Sequence, residues 1–274
     1  RRGGLALRAD ARDQKGDLVM LHVRDLTVSY GAATIIDGLG LDVPRGGVTT
    51  IVGPNGCGKS TLLRAVAGLI PRERGEVVLN GRNTAEMKRR EIARTLAVLP
   101  QTPVAPDGLT VRDLVGRGRH PHQTWLRQTS EKDSAMVDEV MELTQVAEFA
   151  ERPLERLSGG QRQRAWIAMV LAQDTPLVLL DEPTTYLDLS HSVELLALIR
   201  RLADDMGRTV VMVLHDLNLA ARFSDQLVVM KGGEVQAAGT PAEVVSEQLL
   251  ADVFSLPAVV AEDPVAGGPL IVPR

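Results

Sequence analysis

Residues Gly53-Pro54-Asn55-Gly56-Cys57-Gly58-Lys59-Ser60-Thr61 fit the spacing G-x-x-x-x-G-K-[ST]. Glycines at the ends of such a loop let backbone N–H groups converge on a polyphosphate, because no Cβ blocks the approach. The apolar run Val48 to Val52 before it reads as a buried strand, and Ser60 to Gly68 has helical spacing, with Leu62, Leu63 and Val66 apolar. A helix that starts on the loop adds its unpaired N-terminal amides and positive dipole end. Lys59 is placed to reach the β- and γ-phosphates, and Ser60 to give an oxygen to Mg²⁺. Alone, the loop implies a nucleoside triphosphate and leaves kinases, GTPases and motor ATPases open.

A second group of candidates lies downstream. Leu177-Val178-Leu179-Leu180-Asp181-Glu182 puts two carboxylates at the end of an apolar strand, where α/β sheets gather ligands. Asp181 suits support of Mg²⁺, and Glu182 suits a base or orienting group for an attacking water. Leu157-Ser158-Gly159-Gly160-Gln161 opens a helix and can hold an anion by the same amide and dipole logic. His22, His120, His122 and His191 lack metal-ligand spacing and read as structural or surface residues.

The elements that must position these residues alternate between strand and helix. Strands are expected at 18–23, 39–43, 48–52, 76–79, 96–99, 177–180, 210–213 and 227–230, the last joined through Lys231-Gly232-Gly233 to a hairpin partner at 234–236. Helices are expected near 86–94, 131–148 and 190–203. The pattern predicts an α/β fold with a mainly parallel sheet covered on both faces and an α-helical insertion. With 274 residues, 44% hydrophobic and 24% charged, the chain can bury a substantial core. Its net charge of −4 gives no global basis for a nucleic-acid-binding face, and its single cysteine rules out an intrachain disulfide. No apolar run approaches the roughly 20 residues needed to cross a bilayer.

Taken in order, the phosphate loop, the Ser158-Gly159-Gly160 segment and the acid pair resemble the ATP-binding cassette (ABC) family, from about Leu18 to Val245. The resemblance implies a P-loop NTPase (RecA-like) core with an antiparallel β subdomain and an inserted helical subdomain. Residues 18–254 would form the nucleotide-binding domain, with the α/β core at 18–101 and 160–254 and the helical subdomain at 102–159. Residues 1–17 and 255–274 are expected to be tails. It also implies single-residue roles. Tyr30 would stack on adenine, Thr61 would touch the α-phosphate, and His215 would contact the γ-phosphate. Gln101 would sense Mg²⁺ or the lytic water and link to a membrane partner. Ser158, Gly159, Gly160, Gln161 and Asp188 would meet the nucleotide held by the opposite protomer.

Three segments carry a finer resemblance: Val115 to Gln123, Asp181-Glu182-Pro183-Thr184-Thr185-Tyr186-Leu187-Asp188, and Leu214 to Arg222. They are similar to the ATPases of ferric-siderophore importers and of related vitamin B12 and haem importers. His120 departs from the pattern, since many relatives carry an aromatic there. The implied assembly is an ATP- and Mg²⁺-dependent homodimer on the cytoplasmic face of the plasma membrane. Its partners would be two permease subunits and, through them, an extracytoplasmic binding protein. A soluble ABC ATPase acting on nucleic acid or ribosomes is the alternative, and a small-molecule kinase using the loop alone is a weaker one.

Overall fold

The computed structural model describes residues 19–123, 130–185 and 187–274. The expected tail at 1–17, the strand start at Leu18 and Tyr186 of the acid segment lie outside them.

Strands β1 (Val19–Tyr30) and β2 (Ala33–Pro44) form one long antiparallel hairpin, of which the sequence predicts only pieces. The pairing shifts register between Val23 and Leu26, where Asp25 has a φ of +50°. Such a bulge adds a residue and breaks the alternation of apolar and polar positions, so the pattern stops being readable after Val23. β3 (Gly47–Val52) then enters a second sheet and leads through the phosphate loop to α1 (Lys59–Val66). β4 (Arg74–Leu79) and β5 (Arg82–Asn83) return to the first sheet, whose order is β2-β1-β4-β5. Gly75 of β4 faces the bulge so closely that a Cβ there would lie 2.5 Å from the Asp25 carbonyl oxygen.

After α2 (Arg89–Thr95) and β6 (Leu96–Leu99) come three helices, α3 (Val111–Arg117), α4 (Glu131–Leu143) and α5 (Gly159–Ala172). The sequence predicts α4 as far as residue 148. It ends earlier because Thr144 Oγ1 donates to the Val140 carbonyl at 2.7 Å and Gln145 takes a φ of +58°. β7 (Leu177–Asp181), α6 (Leu189–Met206), β8 (Thr209–Val213), α7 (Leu217–Phe223), β9 (Gln226–Lys231) and β10 (Glu234–Gly239) complete the second sheet. Its order is β10-β9-β3-β8-β7-β6, parallel throughout except for β10. Every residue of β7 and β8 is buried, as their near-continuous apolar sequences require of strands covered on both faces.

Residues 255–274 are not an extended tail. Beyond α8 (Pro241–Val244) and α9 (Glu247–Phe254), β11 (Ala258–Glu262) and β12 (Pro269–Pro273) pair as an antiparallel hairpin. Its Ala258 and Ile271 are buried with Leu250 of α9. The Ala/Pro/Gly-rich composition hid it, because only these few positions face a core.

Arg119, just past α3, ties three helices together. Its Nε donates to Asp133 of α4 at 2.8 Å and its Nη1 to the Ala172 carbonyl of α5 at 2.7 Å, with both charged side chains buried. Burial alone pushes the Asp133 carboxyl up, but hydrogen bonds from Arg119 and Ser130 hold it below the ordinary aspartate value. Asp133→Ala is therefore expected to lower the unfolding free energy by about 3 kcal/mol, since it strands a buried guanidinium. Urea unfolding reads this, and an unchanged midpoint contradicts it. A depressed folded pKa stabilises above the unfolded value and loses its effect as pH falls through the folded one. The gap between wild type and variant should thus persist at neutral pH and close only in strong acid.

Candidate functional site

The strand order aligns the candidates along one edge. β3, β8, β7 and β6 are parallel neighbours, with Ile51 beside Val213, Val213 beside Asp181, and Leu180 beside Leu99. Their C-terminal ends therefore open on the same side of the sheet. The phosphate loop follows β3, His215 follows β8, Asp181 and Glu182 stand at the end of β7, and Gln101 follows β6.

The loop keeps its shape through close backbone approaches. A Cβ on Gly53 would lie 2.2 Å from the Met230 carbonyl oxygen, and Gly58 caps α1 with a φ of +103°. The turn between β9 and β10 braces the loop from outside, where Gly233 N–H donates to the Cys57 carbonyl at 3.1 Å. Lys59 is buried, and its Nζ donates to the carbonyls of Gly53 at 2.8 Å and Pro54 at 2.9 Å. Two of its three protons thus hold the loop, and a longer, weaker donation to Cys57 Sγ at 3.9 Å is the one an anion would most readily replace. Cys57 is also buried, its Sγ 3.9 Å from Lys59 Nζ.

Ser60, in the first turn of α1, donates from Oγ to Asp181 Oδ1 at 2.8 Å. Asp181 is 2% exposed, and among the described residues its buried Oδ2 finds no partner. Burial pushes this carboxyl above the usual range, the Ser60 hydrogen bond opposes that, and the charge of Glu182 adds to it. An orphaned carboxylate oxygen beside a hydroxyl is a hard oxygen donor set, which fits Mg²⁺.

Glu182 is held on three sides. Gln101 Nε2 donates to its Oε2 at 2.7 Å, Thr185 Oγ1 donates to the same oxygen at 3.0 Å, and His215 Nε2 lies 2.7 Å from Oε1. Burial raises its pKa, but the hydrogen bonds from His215, Thr185 and Gln101 outweigh that and leave the carboxyl below its ordinary value. It is therefore ionised and able to accept a proton or a hydrogen bond at neutral pH. Its backbone φ is +53°, a left-handed conformation of the kind that gathers at functional positions in non-glycine residues.

Lys59, Ser60, Gln101, Glu182 and His215 line one open groove of about 460 Å³ together with Tyr30, Ile35, Asn55, Gly56, Gly58 and Thr61, whereas Gly53, Pro54, Cys57 and Asp181 are not among its lining residues. Tyr30, at the end of β1, is 49% exposed there, a flat ring open to solvent. Ser158, Gly159, Gly160, Gln161 and Asp188 are not among the lining residues. They gather elsewhere. Ser158 caps α5, accepting from Gln161 N–H, while the Gln161 side chain accepts from Ser158 N–H at 3.0 Å. Asp188 caps α6 and also accepts from His191 Nδ1 at 2.8 Å. A Cβ on Gly160 would lie 3.7 Å from both Leu187 and His191, so the two caps form one face.

Sequence reasoning missed two supports. Thr185 was visible in the acid segment, as a hydroxyl three residues beyond Glu182 in a turn. Gln163 donates from Nε2 to the Pro183 carbonyl at 2.8 Å, tying α5 to the acid pair. No spacing rule signals that contact.

A family model described as ABC transporter matches residues 36–185. The petrobactin import ATP-binding protein FpuD of Bacillus anthracis is 52% identical, over 93% of this chain and 93% of that protein. The iron(3+)-hydroxamate import ATP-binding protein FhuC of Bacillus subtilis is 48% identical, over 91% and 93%. Among solved structures, an ABC transporter in an inward-facing conformation aligns with a TM-score of 0.81 at 27% identity, covering 94% of this chain and 98% of that one. The ATP-binding cassette MJ0796, a dimer in a post-hydrolysis state bound to ADP and Pi, aligns with a TM-score of 0.71 at 28% identity, covering 81% and 98%. A phosphate loop, an acid pair and a capped Ser-Gly-Gly helix, in a chain related to these proteins over nearly its whole length, have one explanation: the chain belongs to the ABC transporter family.

Proposed function

We propose that this chain is the ATP-hydrolysing subunit of an importer for ferric siderophores or related iron chelates. The observation that carries the hydrolytic reading is the Glu182 carboxylate held by Gln101, Thr185 and His215 in the groove that the phosphate loop lines. The loop amides and Lys59 bind the β- and γ-phosphates, Thr61 the α-phosphate, and Tyr30 the adenine ring. Glu182 orients the attacking water and takes its proton, and His215 contacts the γ-phosphate. Ser60, Asp181 and Gln101 are the groups that would hold Mg²⁺, which neutralises charge on the phosphate oxygens.

The groove supplies only half of a nucleotide's surroundings. Ser158, Gly159, Gly160, Gln161 and Asp188 present amides, a hydroxyl and helix N-termini on a separate face. A head-to-tail homodimer lets each chain offer that face to the triphosphate in its partner's groove. Closure is then favoured by contact with the γ-phosphate and released once that phosphate is cleaved and lost.

Two permease subunits dock against the region that follows Gln101, where Val104 is 85% exposed. They also connect the motor to an extracytoplasmic binding protein. No described helix is long and apolar enough to cross a membrane, which suits a peripheral subunit on the cytoplasmic face. The net charge of −4 offers no attraction for nucleic acid. The petrobactin and iron(3+)-hydroxamate relatives support an iron-chelate cargo over vitamin B12.

Deleting the gene should abolish uptake of a radiolabelled ferric siderophore, with the wild-type chain restoring it and Glu182→Gln failing to. Undiminished uptake of every iron chelate in the deletion strain would remove the cargo reading. In the purified protein, Glu182→Gln is expected to bind ATP as tightly as wild type, to dimerise stably, and to lower kcat by about 10²–10³-fold. Wild-type turnover by that variant would show that the base is elsewhere.

A further inference from the structure

The C-terminal hairpin touches the chain immediately behind His215. Asp216 caps α7, its carboxylate accepting from Leu219 N–H at 2.9 Å. In the first turn of this helix, Asn218 meets β12 twice. Its Nδ2 donates to the Ile271 carbonyl at 3.1 Å, and its Oδ1 accepts from Ile271 N–H at 2.7 Å. One side-chain amide thus satisfies both backbone groups of a strand residue, as a neighbouring strand would. Leu217, two residues after His215, packs against the small core built by Leu250, Ala258 and Ile271. On its other side, α7 packs into the main core through Ala220, Leu219 and Phe223.

The hairpin has its own reasons to be rigid. Asp263 accepts from the N–H groups of Val265 and Ala266 in the turn, and Arg274 N–H donates to the Pro257 carbonyl at 2.9 Å. His215, by contrast, has a side chain 48% exposed, and its ring is paired with Glu182. The Glu182 contact fixes the ring only where the backbone delivers it, and that backbone is set by β8 on one side and α7 on the other. A shift of about 1 Å in a group that contacts the reacting phosphate can cost up to about a hundredfold in rate.

We infer that Asn218 and the hairpin β11–β12 form a positioning device that fixes α7 and thereby aims His215 at the γ-phosphate. Asn218 is a positioning residue, with no contact of its own to the nucleotide. The inference rests on the reading of His215 given above and assigns the C-terminal hairpin a part in hydrolysis.

Steady-state ATPase measurements on the intact protein test it. Asn218→Ala should lower kcat by about 5–10-fold while KM for ATP stays within about twofold, because the phosphate loop is untouched. Asn218→Asp keeps the acceptor for Ile271 N–H but sets a carboxylate oxygen against the Ile271 carbonyl, and should lower kcat at least as far as Asn218→Ala with KM again within about twofold. If Asn218→Ala does not fold, Asn218→Asp carries the same comparison. In a His215→Ala background neither change should lower kcat further, since the group being aimed is gone. Losses that add to that of His215→Ala, or that appear in KM rather than kcat, overturn the inference, as does wild-type kcat in both Asn218 variants. The two levels separate cleanly. Wild-type kcat in His215→Ala would defeat the reading of His215 itself, whereas a crippled His215→Ala beside normal Asn218 variants would defeat the positioning device alone.

Discussion

Gly53 lies so close to Met230 that a side chain there would collide with its carbonyl oxygen, and Gly233 approaches Ile35 almost as tightly, a Cβ there coming within 2.3 Å of the Ile35 carbonyl. The first contact presses the loop after β3 against β9, and the second packs against β2 the β9–β10 turn that in turn bonds the loop at Cys57. A polyphosphate demands many donors at one point, and backbone amides can converge only where the chain is held this closely. The parallel sheet then does the rest of the assembly. Because β3, β8, β7 and β6 run side by side, the loop, His215, the acid pair and Gln101 arrive at a common edge without any segment having to reach for the others.

The acid pair shows how neighbouring carboxylates acquire different tasks. Asp181 is buried, hydrogen-bonded through one oxygen only, and driven toward its neutral form by burial and by the charge next to it. A cation at its unpartnered oxygen would favour the ionised form there. Glu182, one residue later, turns through a left-handed φ toward the groove, where three side chains hold it ionised. The same backbone turn that separates their directions separates their chemistry.

The phosphate loop, the acid pair and the parallel strands could be read from the residues, since glycine spacing and fully buried apolar strands leave direct marks on sequence. What escaped has physical reasons. The outer halves of β1 and β2 are hidden by a bulge at Asp25, which shifts the alternation. The β11–β12 hairpin is hidden by a composition suited to turns, with a core of only a few side chains. Gln163 and Asn218 act by bonding to backbone groups of distant segments, at Pro183 and Ile271. Such contacts depend on the finished fold and not on local type or spacing. The helix start at Ser158 could be read as a cap from the residues, whereas its place apart from the chain's own groove was implied only by the family resemblance.

That separation is the central claim, and mixing two crippled chains tests it most directly. Lys59→Ala removes the groove's phosphate contact, and Ser158→Arg puts a bulky cation on the opposing face, so neither protein alone should hydrolyse ATP above background. In a mixed dimer, one of the two sites combines an intact groove with an intact opposing face. An equal mixture should therefore recover activity on the order of a quarter of wild type, if subunits exchange freely and sites act independently. A mixture no more active than the average of the two proteins measured separately would mean that each chain encloses its nucleotide alone.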